Sequence, residues 1–455
     1  MNDQLKLSLE TYTDLEPYAQ TTSEGQTLSV LSLFSGCGGM DLGFEGGFAV
    51  LKESINKQLC SDFIDHTIDE HFIKVRKTRF NTIFANDILS SAQKAWTHHF
   101  EQKNQKTFHL ESIVDLVKKH RHGESVFPHN VDIVTGGFPC QDFSVAGKRK
   151  GFQSHKSHTG QLIEASLDTS TPSVETRGQL YMWMKEVIEI TQPKIFIAEN
   201  VKGLVNLDNV KEIIQQDFSS AHGHGYLVLS PQVLNAANFG VPQSRERVFF
   251  IGIKKSALKP DILKQLLENP ITEKLSPYPQ ITHINPLHVD VNHKSNLAPF
   301  VALQSVFSTL VEPEQTTDLT HQFYSKAKFM GKHCQGQTEI KLDGIAPTIR
   351  AEHHGNIEFR RLSKEHGGKL DLELEQGLTE RRLTPRECAL IQTFPPDYDF
   401  VLANPNGRKG SYLVSPSQAY KIIGNAVPPL LAYHLAKRIE SLWDVYFNQL
   451  NSSKL

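Results

Sequence analysis

Short apolar runs recur along the first 255 residues of the chain, and polar or glycine-rich residues bound them. Runs of this length with such boundaries are typical of buried β-strands. The predicted strands are Leu28–Phe34, Thr82–Ala85, Val131–Val134, Ile195–Ala198 and Val248–Ile253. Between two of these strands, the positions that mark one face of a helix are Leu180, Met184, Val187 and Thr191.

Alternating strands and helices predict an α/β fold, with a mostly parallel sheet that helices cover on both faces. In such sheets, ligands bind beyond the carboxyl ends of the strands. We therefore expect the functional residues of this half of the chain to follow the ends of the predicted strands.

The pattern changes after Lys255, where proline, asparagine and histidine become frequent and periodicity weakens. We predict a second, smaller and irregular domain over residues 255–380, with one strand-like piece at Asn356–Arg360. The stretch Ser417–Phe447 is predicted to be helical and to return to the first domain. The predicted organisation is a polar segment over residues 1–27, the first domain over 28–254, the irregular domain over 255–380, and a returning segment over 381–455.

Composition restricts the function only weakly. The net charge is −2 and the pI is about 6.9, so the chain as a whole lacks the excess of basic residues that is typical of many nucleic-acid-binding domains. Local clusters of basic residues nevertheless occur. The five cysteines form no Cys-x-x-Cys pair, and the histidines lack partners at ligand spacing, so we predict neither a disulfide framework nor a bound metal. Without a signal pattern or a membrane-length apolar run, we expect a cytoplasmic protein with no membrane contact.

A glycine-rich turn follows the first predicted strand. Gly36 and Gly38 permit a tight turn and let a ligand approach the backbone where the next helix starts. Asp87 closes the second predicted strand, where a carboxylate can accept both ribose hydroxyls of an adenosine cofactor. These residues alone indicate a nucleoside-type cofactor, and a simple glycine-rich turn is the alternative.

One cysteine lies in a glycine- and proline-flanked loop after the third predicted strand, in the sequence Gly137-Phe-Pro-Cys-Gln-Asp-Phe-Ser144. An isolated cysteine is most often a small buried hydrophobe. Cys140, however, follows a strand end, which is where a nucleophile belongs in such a sheet. To react, its thiol must become a thiolate.

Two further polar groups belong to the same predicted sheet edge. Glu199 follows the apolar strand Ile195–Ala198, so its carboxylate is expected near Cys140, with a helix-capping role as the alternative. Gln243, Arg245 and Arg247 alternate, so an extended segment points all three to one side. A solvated charge run is the alternative for this segment.

Taken in order, these segments resemble the DNA (cytosine-5) methyltransferase family, in its bacterial restriction-modification type. The matching motifs are Phe-x-Gly-x-Gly from Phe34, Pro-Cys-Gln from Pro139, Glu-Asn-Val from Glu199, Gln-x-Arg-x-Arg from Gln243, Arg382-Leu-Thr-Pro-Arg-Glu-Cys388, and Gln418-Ala-Tyr-Lys421 with Gly424-Asn425-Ala-Val427. The resemblance implies a Rossmann-like methyltransferase domain that uses S-adenosylmethionine, and it makes residues 255–380 the target-recognition domain.

The resemblance also implies roles for single residues. Cys140 is the nucleophile that attacks C6 of a flipped-out cytosine, Glu199 stabilises the charge that develops on the ring, and Arg245 donates to the cytosine carbonyl with support from Arg247. The residues implied to bind the cofactor are Phe34, Gly36, Gly38, Asp87, Ile88, Ile113, Pro139 and Asn425.

Two segments depart from the family pattern. Many members have Gly-Asp-Ile where this chain has Glu111-Ser112-Ile113, so the aspartate that meets the adenine is replaced, and the loop Phe152–Arg177 is longer than in minimal members. The implied partner is double-stranded DNA, bound by a monomer that works in functional pairing with a restriction endonuclease.

Three alternatives remain open from the sequence. A related enzyme that methylates cytosine in RNA shares the Pro-Cys-Gln loop, whereas the long variable region favours DNA. A second alternative is a non-catalytic DNA-binding protein. The presence of Cys140, Glu199 and Arg245 together argues against it. A thiol oxidoreductase with a nucleotide cofactor leaves the Gln-x-Arg-x-Arg and C-terminal motifs unexplained.

Overall fold

The structure is a computed structural model of the 455-residue chain. It describes residues 25–100, 105–139, 180–206, 209–268, 271–287, 296–331, 337–351, 358–408 and 410–448. Cys140 and the loop Phe152–Arg177 lie outside the described residues.

The strands are β1 Leu28–Leu33, β2 Ala49–Leu51, β3 Ile64–Thr67, β4 Phe72–Val75, β5 Phe80–Asp87, β6 Phe108–Leu110, β7 Ile133–Gly137, β8 Ile195–Val201, β9 Tyr226–Val228, β10 Gln232–Asn235, β11 Glu246–Lys254, β12 Thr338–Glu339, β13 Glu358–Arg361, β14 Arg381–Arg382, β15 Leu402–Ala403 and β16 Tyr412–Val414. The helices are α1 Gly39–Glu45, α2 Ser90–His99, α3 Ile113–Arg121, α4 Leu180–Thr191, α5 Val210–Ser219, α6 Ala221–His224, α7 Pro260–Leu266, α8 Leu303–Phe307, α9 Leu319–Gln322, α10 Asp371–Glu375, α11 Pro385–Ile391, α12 Pro416–Asn425 and α13 Pro429–Tyr446.

The central sheet has the strand order β10-β11-β8-β7-β1-β5-β6, and β9 also pairs with β11. Neighbouring strands from β6 to β8 are parallel, whereas β11 is antiparallel to β8 and to β10. The α/β fold with a mostly parallel sheet is therefore confirmed. All five predicted strands belong to this sheet, and the predicted helix is α4.

Residues that alternate along the central strands enter two different hydrophobic clusters. Val30 packs on one face of β1 and Leu31 on the other, and Ile197 and Phe196 divide in the same way on β8. Since side chains point to opposite faces with a period of two, two buried faces produce the continuous apolar runs of the sequence.

The order in which the chain adds strands to the sheet reverses at β1. The chain proceeds from β1 to β5 and β6 on one side, and then to β7 and β8 on the other. A ligand site is expected in the crevice beyond the carboxyl ends of the strands at such a switch point.

The predicted irregular domain contains only short helices and strands in its described parts. Several of its apolar residues nevertheless join the hydrophobic cluster that covers one face of the central sheet, among them Leu258, Val306, Ala346 and Ile349. A small separate cluster forms around Phe359 and Leu362. The domain boundaries stay a prediction, and this span shares a core with the sheet.

The C-terminal stretch returns to the central sheet region, as its apolar periodicity predicts. It forms two helices rather than one, because Pro428 and Pro429 lack the N–H groups that would continue α12. Helix α13 packs closely on α1, where Gly43 faces the Pro429 carbonyl. Among the described helices, none is both long and apolar enough to cross a membrane.

The contact between α1 and α13 tests this packing. A Cβ added at Gly43 would lie 2.4 Å from the Pro429 carbonyl oxygen and 2.5 Å from the Ala432 Cβ. We expect Gly43→Ala to lower the free energy of unfolding in urea by about 1–3 kcal/mol, because the helices must separate.

The control for this variant is Gly344→Ala, because the atom nearest to a Cβ at Gly344 is 3.6 Å away. It is expected to change the free energy of unfolding by less than about 0.5 kcal/mol. Equal effects of the two variants would contradict the packing that the structure shows.

Candidate active site

A cavity of about 430 Å³ opens at the carboxyl ends of the central strands. The predicted site residues that line it are Phe34, Gly36, Asp87, Ile88, Ile113, Pro139, Glu199, Arg247 and Asn425. They lie in β5, β8 and β11, in the segments that follow β1, β5 and β7, and at the ends of two helices, so the switch point of the sheet assembles segments that are far apart in sequence.

Gly36 and Asp87 form one wall of the cavity. The Gly36 N–H donates to Asp87 Oδ2 at 3.0 Å, and the Leu89 N–H donates to Oδ1 at 2.9 Å. Gly36 has a φ of 56°, and a Cβ there would meet nothing within 4 Å, so this glycine is required by backbone conformation and leaves open space. Burial raises the pKa of Asp87, and backbone N–H groups with the Lys421 cation oppose that rise.

The other glycine of the turn has a different function. Gly38 lies outside the cavity lining, has a φ of 80°, and precedes α1. A Cβ at Gly38 would lie 2.7 Å from the Trp96 ring, so close packing explains this glycine. The prediction that Gly38 admits a ligand is therefore not supported by its position.

Apolar and polar side chains line the cavity next to Asp87. Ile88 is 46% exposed although it is a large apolar residue, and Ile113 lines the same space. Ser112 lines the cavity at the place where many family members have aspartate, and its side chain also accepts from the Val114 N–H at 3.3 Å as the N-cap of α3. The preceding residue, Glu111, is not among the residues that line the cavity and forms an ion pair with Lys119.

Glu199 is the buried carboxylate at the opposite wall. It is 7% exposed, and Arg247 Nε lies 2.9 Å from its Oε1. The parallel pairing of β7 with β8 sets Gly137 beside Glu199, and a Cβ at Gly137 would lie 2.9 Å from Oε2. Burial raises the pKa of Glu199, while Arg247 and then Arg245 oppose the rise.

Asn200 anchors the start of the Pro-Cys-Gln loop. This side chain is buried, and its Nδ2 donates to the Phe138 carbonyl at 3.2 Å. Pro139, the next residue, lines the cavity. Sequence reasoning had not assigned a function to Asn200, although it belongs to the Glu-Asn-Val motif.

Arg245 does not reach the cavity. Its side chain is fully buried and donates to three main-chain carbonyls, those of Ile349 at 2.8 Å, Gly424 at 2.7 Å and Ala426 at 2.8 Å. The expectation that Arg245 donates to a ligand carbonyl is corrected by this geometry, since the guanidinium is turned to the backbone. Arg247 instead lines the cavity.

The three cysteines that the structure describes are unsuited to nucleophilic attack. Cys37, Cys60 and Cys388 are buried, and burial raises the pKa of each thiol. A buried thiol with a raised pKa supplies little thiolate and is therefore inert.

Lys421 also lines the cavity. It belongs to the Gln418-Ala-Tyr-Lys421 motif, but no role was predicted for it from the sequence. It lines the cavity together with Asn425, four residues later on α12. Residues four apart share one face of a helix, so the placement of Asn425 would have indicated Lys421 as well.

Known proteins resemble this chain over most of its length. The family model of C-5 cytosine-specific DNA methylases matches residues 28–441. The Type II methyltransferase M.BsuRI of Bacillus subtilis is 31% identical over 97% of this chain and 85% of its own length. M.BspRI of Lysinibacillus sphaericus is 32% identical over 90% and 81%, and M.FnuDI of Fusobacterium nucleatum is 29% identical over 92% and 96%. The chain belongs to the C-5 cytosine-specific DNA methylase family.

Proposed function

We propose that this protein transfers a methyl group from S-adenosylmethionine to C5 of a flipped-out cytosine in a specific double-stranded DNA sequence, through a covalent bond from Cys140 to C6. The observation that carries the proposal is the buried pair of Glu199 and Arg247, which shares one cavity with Pro139, Gly36 and Asp87. The modification protects host DNA from a cognate restriction endonuclease.

Covalent attack is required by the chemistry of the base. The cytosine ring is electron-poor, so C5 becomes nucleophilic only after a thiolate adds to C6 and makes C5 part of an enamine. The C5 atom then takes the methyl group as the bond from that methyl to the donor sulfur breaks, which leaves S-adenosylhomocysteine. A base removes the C5 proton, and the Cys140 sulfur leaves C6.

Cys140 is proposed as this nucleophile on two grounds. Pro139, the residue directly before it in the sequence, lines the cavity that contains Glu199. Cys37, Cys60 and Cys388 have buried thiols with raised pKa values, which makes them poor nucleophiles.

Glu199 and Arg247 are proposed to hold the base and stabilise the ring as it becomes charged. Burial raises the pKa of Glu199, so its carboxyl group is suited to hold a proton toward N3 of the ring. Arg247 lies on the same side of the cavity and is the guanidinium available to the cytosine carbonyl. Such preorganised hydrogen-bond donors act strongly because little water reaches them.

The residues on the Asp87 wall fit an adenosine-type methyl donor. The Asp87 carboxylate suits two ribose hydroxyls, Ile88 and Ile113 offer apolar faces to the adenine, and Phe34 lines the same space. Asn425 and Lys421 on α12 are polar groups suited to the charged amino-acid end. When bound, S-adenosylmethionine supplies the methyl group.

The depth of Glu199 supports base flipping. A carboxyl group that is only 7% exposed cannot reach a base inside a duplex. An extruded nucleotide can enter the cavity, at an unstacking cost of a few kcal/mol. Residues 255–380 are proposed to recognise the DNA sequence through base edges in the major groove.

The first prediction concerns the nucleophile. We expect the wild-type protein with S-adenosylmethionine to protect cytosines at one plasmid sequence in bisulfite sequencing, and to form a covalent adduct on 5-fluorocytosine duplex DNA. In Cys140→Ser both signals are expected to disappear, because the hydroxyl is a far weaker nucleophile than a thiolate, while binding of S-adenosylhomocysteine is retained.

The matched control is Cys60→Ala, which alters a buried thiol elsewhere and is expected to keep the adduct. Persistence of the adduct in Cys140→Ser would assign the nucleophile to another residue.

The second prediction concerns the carboxyl group. Because the pKa of Glu199 is raised and its protonated form is the active one, the single-turnover rate is expected to fall as the pH rises through that pKa. Glu199→Gln cannot deliver a proton, so we expect a rate lower by about 10²- to 10⁴-fold and the loss of that pH dependence. A variant that kept the wild-type pH profile would contradict the role of Glu199.

The third prediction concerns Lys421, whose cation is suited to the carboxylate of the methyl donor. We expect Lys421→Met to weaken binding of S-adenosylhomocysteine by about 5- to 50-fold, corresponding to about 1–2 kcal/mol. Binding of methylthioadenosine, which lacks the amino-acid end, is expected to change less than two-fold. Calorimetry with both compounds measures the difference, and equal losses for the two would show that Lys421 acts elsewhere.

A further inference from the structure

We infer that Arg245 is a positioning residue that makes binding of DNA and binding of the methyl donor depend on each other, by joining residues 346–351 to the end of α12. We call residues 346–351 the docked segment. The inference rests on the proposed function, since it takes the methyl donor to lie against Asn425 and the DNA against the predicted recognition domain.

The docked segment is bound along the residues that lead into β11. The Ala346 N–H donates to the Pro242 carbonyl at 2.9 Å, and the Ser244 N–H donates to the Ala346 carbonyl at 2.8 Å. Thr348 Oγ1 donates to the Ser244 carbonyl at 2.7 Å. The docked segment therefore behaves as a short added strand beside the catalytic motif.

Gln243 and Arg245 extend this attachment with their side chains. Gln243 Oε1 accepts from the Ile349 N–H at 2.9 Å, and Arg245 Nη1 donates to the Ile349 carbonyl at 2.8 Å. Both polar groups of one buried residue in the docked segment are thus held by alternate residues of the Gln-x-Arg-x-Arg motif.

The other end of the Arg245 guanidinium holds α12. Nη2 donates to the carbonyls of Gly424 and Ala426, at 2.7 and 2.8 Å. The last carbonyls of a helix lack partners within the helix, and a cation at this end is favourable. The rigid, planar guanidinium with several donors serves both partners at once, which a lysine ammonium cannot do in the same geometry.

The docked segment and α12 also touch directly. A Cβ at Gly424 would lie 2.3 Å from the Arg350 carbonyl carbon and 2.4 Å from the Ala351 nitrogen, so only glycine permits this approach. Asn425, the next residue on α12, lines the cavity. A shift of the docked segment must therefore displace the helix end that faces the proposed cofactor.

The opposite side of the docked segment faces solvent. Pro347 and Arg350 are exposed, whereas Ala346 and Ile349 are buried. An exposed guanidinium in the predicted recognition domain is suited to phosphate oxygens or base edges. DNA would then contact the docked segment, and the methyl donor would contact the end of α12. Arg245 binds both of these elements.

Arg247 provides the matched comparison, because it is the same residue type two positions further along the same segment. Arg247 lines the cavity and pairs with Glu199, whereas Arg245 does not line the cavity and contacts three main-chain carbonyls. Loss of Arg247 should therefore affect the chemical step, and loss of Arg245 should affect the communication between the two ligands.

The experiment measures DNA affinity by fluorescence anisotropy, with the duplex that bisulfite sequencing identifies, in the absence and presence of saturating S-adenosylhomocysteine. For the wild-type protein we expect the ligand to tighten DNA binding by about 5- to 150-fold, the usual range of coupling between two sites. In Arg245→Lys this factor is expected to fall below about two-fold. Arg247→Lys should keep the wild-type factor and lose turnover.

A second variant guards against a loss of folding in Arg245→Lys. Gly424→Ala leaves Arg245 in place and forces α12 away from the docked segment, so it is expected to reduce the same coupling factor. Urea unfolding of each variant shows whether the fold is retained, and reduced coupling in either folded variant supports the inference.

Two outcomes would overturn the inference. One is a wild-type protein in which S-adenosylhomocysteine and DNA both bind but without coupling. The other is an Arg245→Lys variant that keeps the coupling and loses only turnover, since Arg245 would then act as Arg247 does. A wild-type protein that bound neither ligand would instead contradict the proposed function.

Discussion

The pairing of β7 with β8 is the contact on which the proposed active site depends. Its register sets Gly137 beside Glu199, and the missing side chain at Gly137 leaves the space that the carboxyl group occupies. The same pairing buries Glu199 at the edge of the sheet, where the loss of hydration raises its pKa against the effect of two guanidiniums. A one-residue slip between the strands would turn this carboxyl group to the opposite face.

The two walls of the cavity have different physical requirements. The wall made by Gly36 and Asp87 uses backbone N–H groups and a carboxylate, which suits a polar nucleoside. The wall made by Glu199 and Arg247 is buried and charged, which suits a base that changes its charge during reaction. The reversal of strand order at β1 brings these two walls to the same end of the sheet.

The sequence predicted the elements that local patterns determine. Five strands of the central sheet were located within a few residues, because strands buried on both faces must be apolar throughout, whereas the short strands β6, β9 and β10 were not predicted. Asp87 and Glu199 were expected at the carboxyl edge, and both line the cavity there. The span after Lys255 was less predictable, because its apolar residues are few and irregularly spaced and yet enter the core of the sheet.

The orientation of Arg245 was beyond any local pattern. Its acceptors are main-chain carbonyls that lie 104, 179 and 181 residues away in sequence, and carbonyls are carried by every residue type. Family resemblance transfers the residue but not the direction of its side chain. Only the docked segment and the end of α12, once folded around it, decide that this guanidinium turns inward.

Arg245 and Arg247 differ in the acceptors that surround their guanidinium groups. Burying a guanidinium is costly unless its donors find acceptors, and three main-chain carbonyls accept from the Nη1 and Nη2 groups of Arg245. Arg247 has Glu199 as its partner, and that partner has a raised pKa, so the pair holds its charge less firmly than an ordinary ion pair. A substrate that takes hydrogen bonds from both groups can therefore enter the Arg247 pair, whereas Arg245 donates to main-chain carbonyls of the fold itself.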